Sequence, residues 1–153
     1  MFGILAALSG PEPELTDLGL IVREQWERLS NRFSHVRLDE FVIMPDHLHG
    51  LIWLGSIPGA EKSQPGMGQL RASSGTKPGS LPAIVQAFKA AAGFHARPVL
   101  ANLGLAAPVK RFWQRNYDEQ IIRDRSHLAA VRRYIRNNPR KLFDRIPRGR
   151  GKG

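Results

Sequence analysis

The chain has 153 residues and 17.1 kDa, enough for one hydrophobic core but not for two. With 42% hydrophobic and 24% charged residues it has a globular composition, and the absence of cysteine excludes disulfides, thiolate metal sites and a cysteine nucleophile. Its 23 Lys+Arg against 13 Asp+Glu give a net charge of +10, which favours a polyanionic partner.

That charge is concentrated. Residues Ala107–Gly153 hold 14 basic and 4 acidic side chains, whereas the first 106 residues hold 9 of each and cancel. Between Lys110 and Lys141 the basic residues alternate with Phe112, Trp113, Tyr117, Ile121, Ile122 and Tyr134. Phosphate-binding cations beside aromatic platforms suit single-stranded nucleic acid, so Lys110, Arg111, Arg115, Arg132, Arg133, Arg136 and Arg140 are expected to contact it. The Gly/Arg run 148–153 has nothing to bury and reads as a disordered basic tail. No apolar run reaches the length of a membrane span. The apolar Met1–Leu8 lacks the basic start of a signal peptide, so a cytoplasmic protein is expected.

In chain order, Leu15–Leu29 carries Leu18, Ile21, Val22, Gln25, Trp26 and Leu29 at helical spacing, with Thr16 or Asp17 as N-cap. His35–Met44 has a strand pattern with a polar kink. Pro45-Asp46 signals a turn, and His47–Leu54 reads as the second strand of an antiparallel hairpin. Gly55–Ser80, with 6 Gly, 3 Pro and 5 Ser in 26 residues, reads as a flexible insertion within a single domain spanning 1–147. Leu81–Leu100 is a helix with Ile84, Val85, Phe88, Ala91 and Ala92 on one side. Glu119–Arg123 is a short strand candidate, and Ser126–Asn138 is a helix that Pro139 should stop. This order predicts an α+β fold, a ferredoxin-like antiparallel sheet with helices on one face and a first strand missing or replaced.

Two groups of residues could carry chemistry. In a strand, His47 and His49 leave the same face, and two neutral imidazoles there make half of a divalent-metal site. Two ordinary half-buried histidines are the alternative, made less attractive by the apolar flanks of a strand expected to be central. Tyr134 and Asn138 lie one helical turn apart on one face. Taken alone, Tyr134 reads as a tyrosine packing beside Ile135, and Asn138 as a helix residue preceding Pro139. Beside a metal, however, a tyrosine can attack a phosphodiester.

The segments MPDHLHG (Met44–Gly50), FWQRNYDEQIIRD (Phe112–Asp124) and YIRNNP (Tyr134–Pro139), in this order, resemble the HUH single-tyrosine transposases, and among them the REP-associated tyrosine transposases. The resemblance runs from about Phe2 to Pro139, with the insertion as a variable stretch. It implies a metal-dependent endonuclease and strand transferase acting on single-stranded DNA, often at hairpins or repetitive palindromes, as a monomer or homodimer. It implies His47 and His49 as ligands of Mg²⁺ or Mn²⁺, Asn138 as the residue completing the site, and Tyr134 as the nucleophile forming a 5′-phosphotyrosine. Tyr117 is a rival nucleophile by type alone. Family members carry a strand before the segment matching Met1–Gly3, for which Ile4–Leu8 is the available substitute. A truncated DNA-binding remnant without catalysis and a basic RNA-binding protein with structural histidines are the other readings.

Overall fold

The computed structural model describes residues 5–8, 12–56, 76–105 and 112–145. Lys110, Arg111, the tail 148–153 and most of the expected insertion lie outside the described residues. The fold is α+β. In order it contains β1 (Ala6–Ala7), β2 (Glu14–Leu15), α1 (Asp17–Glu27), the single turn α2 (Leu29–Arg32), β3 (Val36–Ile43), β4 (Leu48–Leu54), α3 (Leu81–Asn102) and α4 (Arg125–Arg145).

Helix α1 starts where the sequence indicates. The Thr16 hydroxyl accepts from the Gly19 N–H at 3.2 Å and donates to the Leu5 carbonyl, tying the cap to the N-terminal segment. Leu18, Val22 and Trp26 then fall on one buried stripe. Strands β3 and β4 pair antiparallel, joined by the turn Met44–His47, in which the Met44 N–H donates to the His47 carbonyl at 2.8 Å. The residues preceding β1 reach this turn too, through a Leu5 N–H bond to the Pro45 carbonyl.

Pairing sets the two faces of the hairpin. Val36, Leu38, Phe41 and Ile43 share a face with Leu48, Gly50 and Ile52, while Arg37 and Val42 oppose Trp53 and His49 on the other. The first face packs against α1 and α3. Trp26 lies against Phe41 and Phe88, and a Cβ at Gly50 would collide with the Trp26 ring, so glycine at the end of HLHG is what lets the helix approach the strand. Ile84, Phe88, Ala92, Ala96 and Leu100 supply the α3 side of this core.

Several expectations are corrected. The helices do not share one face, because α4 packs on the opposite side of the hairpin, through contacts of its arginines and tyrosine with β3 and β4. The described strands form two separate two-stranded sheets, β1–β2 and β3–β4, rather than one sheet. Ala6–Ala7 is indeed extended, but among the described residues it pairs only with Glu14–Leu15. Glu119–Arg123 is not a strand: no neighbour among the described residues pairs with it, Ile121 is 78% exposed, and the approach to it is held by Lys89, whose ammonium donates to the Gln114 and Asn116 carbonyls. Pro139 does not end the last helix either. It lies buried inside α4 one turn after buried Ile135, and that burial offsets the single helical hydrogen bond a proline removes.

Candidate functional site

The His pair stands where β4 leaves the Met44–His47 turn. The ring centroids of His47 and His49 are 4.8 Å apart and their Nε2 atoms are 3.1 Å apart. Asp46, which sequence reading noticed only as a turn residue, lies 2.6 Å from Nδ1 of His47. An ionised carboxylate only accepts, so Nδ1 of His47 carries a proton, and Nε2 is the nitrogen left to ligate. Burial, and then the charge His47 would carry, hold the His49 imidazole below its ordinary pKa, so His49 favours the neutral form that ligates metals.

Tyr134 comes to this pair from the far end of the sequence. Its ring meets the His49 ring edge to face at 5.3 Å, while the phenol remains 46% exposed. Lys141, two turns along the same helix face, places its ammonium 5.9 Å from the Tyr134 ring centroid. The sequence places Lys141 in the basic stretch Lys110–Lys141 but not beside Tyr134, although the i, i+7 spacing carries that signal. Asn138 lies on this flank, half-buried, and its side-chain amide makes no hydrogen bond among the described residues.

Tyr117, the rival, is placed differently. It packs under Lys89, with the ammonium 5.6 Å from its ring, and its phenol is pushed above its ordinary pKa by burial and by Glu119. Both effects oppose the phenolate a nucleophile needs. Trp113 is held in place by an indole N–H bond to the Lys89 carbonyl and by packing on Phe88 and Phe112.

The basic residues divide into two sets. Arg133, Arg140 and Arg115 are exposed, and Arg133 and Arg140 have no acidic partner among the described residues. Arg132 and Arg136, expected to bind phosphate, are engaged within the protein. Between Leu38 and Phe41 the hairpin register shifts, so Asp39 and Glu40 together oppose Leu51. This bulge aims both acids at α4. Asp39 receives Arg132 in two bonds, Nε at 3.0 Å and Nη2 at 2.6 Å, and also the Trp53 indole N–H at 2.6 Å. Arg136 bonds Glu40 at 2.8 Å. The Arg132 bonds hold the Asp39 carboxyl well below the usual carboxylate range. The polar kink in β3 was legible in the sequence; its partners were not.

Among the described residues no group of three His, Cys, Asp or Glu side chains could hold a metal. The donors on offer are the two imidazoles and an amide. Two nitrogens bound about 2.1 Å from one ion at right angles stand about 3.0 Å apart, so the spacing of the His pair fits a shared divalent cation. A carboxylate on the other ring nitrogen of a ligating histidine is the usual support for such a site.

No protein-family model matches the chain, and no solved structure matches it significantly. A Haemophilus influenzae protein described as uncharacterized is 39% identical over 129 residues, a stretch covering 82% of this chain and 67% of that one. The chain belongs to the same family as this Haemophilus influenzae protein.

Proposed function

We propose that this protein is a metal-dependent single-stranded DNA endonuclease and strand transferase of the HUH single-tyrosine type, acting at hairpin-associated sites through a 5′-phosphotyrosine. The observation that carries this reading is the meeting of three side chains: two imidazoles with converging Nε2 atoms, and a half-exposed tyrosine ring against one of them. His47 and His49, with Asn138 as third donor, would hold Mg²⁺ or Mn²⁺. When bound, the cation neutralises and polarises a scissile phosphate. The Tyr134 oxygen attacks phosphorus, the bond to the 3′ oxygen breaks, and the DNA leaves a 3′-OH end while its 5′ phosphate stays on the enzyme. The phenolic proton passes to solvent, solvent supplies the proton taken up by the departing 3′ oxygen, and the reverse step rejoins strands without a nucleotide energy source. The Lys141 ammonium, 5.9 Å from the Tyr134 ring centroid, attracts the phosphate by its charge. Arg115, Arg133 and Arg140, together with Lys110 and Arg111, supply phosphate contacts along the strand.

The experiment is cleavage of a labelled DNA hairpin with Mn²⁺ by wild type and by His47→Ala, His49→Ala and Tyr134→Phe. Loss of cleavage in all three, with hairpin affinity within about twofold of wild type, supports the reading, since affinity and chemistry use separate residues. Equal cleavage by wild type and the histidine double variant refutes the metal site. A second reading, a DNA-binding protein without catalysis, is favoured by the absence of a third ionisable ligand among the described residues. It predicts salt-sensitive binding of the hairpin with no cleavage and no effect of Mn²⁺.

A further inference from the structure

The two arginines withdrawn from the phosphate-binding set need another role, and their geometry supplies one. We infer that the Asp39–Glu40 bulge with Arg132 and Arg136 is a latch that fixes the roll of α4 and thereby sets Tyr134 against His49; all four are positioning residues. The tyrosine half of this statement rests on the nuclease reading above.

At about 100° per residue around a helix, the buried pair Ile135 and Pro139 marks the stripe of α4 that faces the hairpin. Arg132 and Arg136 then lie about 60° to one side of that stripe, and Tyr134 with Asn138 about 100° to the other. Leu128, Val131, Leu142 and Phe143 are only half-buried along this helix, so non-directional packing constrains its roll weakly, and roll lifts one flank as it lowers the other. Fork-shaped bonds from Arg132 to Asp39, with Arg136 on Glu40 one turn later, hold one flank at two points and so determine the height of the opposite one. An ordinary strand would send Asp39 and Glu40 to opposite faces. The bulge is what lets consecutive residues meet arginines spaced i, i+4. The Trp53 indole N–H on Asp39 fixes that carboxylate from the hairpin side, so the anchor does not swing with the helix.

The test combines Asp39→Asn with Glu40→Gln, keeping shape and removing charge, and Asp39→Arg with Arg132→Asp, which restores the pair reversed. Three properties are read: single-turnover rate of covalent adduct formation on a saturating DNA hairpin, Mn²⁺ affinity without DNA, and hydrogen exchange along residues 125–145. The latch predicts that the charge-removed variant forms adduct about 10–100-fold more slowly, as expected of an ångström-scale misplacement. It predicts faster exchange in α4 with α3 unchanged, Mn²⁺ and DNA affinity within about twofold, and recovery of a substantial part of the rate by the reversed pair. Unchanged α4 exchange, or an unchanged adduct rate, overturns it. So does Arg132→Gln weakening hairpin binding and flattening its salt dependence by about 0.7 in slope, the mark of a lost phosphate contact. If wild type forms no adduct with any hairpin, the nuclease reading fails by itself, while the exchange measurement still decides whether the latch exists.

Discussion

The two faces of the β3–β4 hairpin are held by different physics. On one, Leu38, Phe41, Ile43 and Gly50 meet Trp26 and the α3 stripe in a dry core. On the other, α4 buries only Ile135 and Pro139 and is joined by ion pairs from Arg132 and Arg136. The apolar face is non-directional and holds the fold. The polar face is directional and specifies orientation, which is what a site assembled between a strand and a helix requires. The residues proposed to react sit on this second face.

That contrast gives a ranked set of outcomes. The largest belongs to the dry face: Trp26→Ala should cost about 3–5 kcal/mol, and Gly50→Ala about 1–3 kcal/mol because the Trp26 ring cannot yield, both read from urea unfolding. Ile135→Ala should cost about 2–3 kcal/mol, with faster hydrogen exchange in α4 before α3. If α3 and α4 open together, the two faces are not separable in the way described. A smaller effect concerns pH. Asp39 has a folded-state pKa depressed below its ordinary 3.8, mainly by Arg132, so its contribution is present above that value and lost as pH falls through the folded pKa. The difference in Tm between wild type and Asp39→Asn should stay constant from about pH 5 to 8 and shrink below the ordinary aspartate range. The smallest effect is ionic: salt at about 1 M should quicken exchange in α4 modestly and leave α1 and α3 unchanged, because the pairs on the polar face are partly exposed.

Much of the dry face was legible from local pattern. The α1 cap at Thr16, the hairpin around Pro45-Asp46 and the α3 stripe each follow from spacing or turn chemistry within a few residues. The convergence of His47 and His49 follows from the strand period. What escaped depends on distant partners. Arg132 and Arg136 look identical in sequence to Arg133 and Arg140, and only the bulge at Asp39–Glu40 separates pairs bound inside the protein from cations facing outward. Pro139 reads as a stop because its chain neighbours do not reveal that its ring is buried. Glu119–Arg123 has a strand-like composition, but a strand exists only with a partner, and none among the described residues pairs with it. Asp46 was read for its turn and not for the imidazole next to it.

The central claim is that Tyr134, not Tyr117, is brought to the His pair for chemistry. It is tested most directly by incubating wild type with a DNA hairpin and Mn²⁺, digesting the denatured adduct with protease and nuclease, and locating the nucleotide-bearing peptide by mass spectrometry. The account predicts the modification on Tyr134, within the peptide preceding Arg136, and none on Tyr117. A nucleotide on Tyr117, or an adduct that persists in Tyr134→Phe, would contradict it.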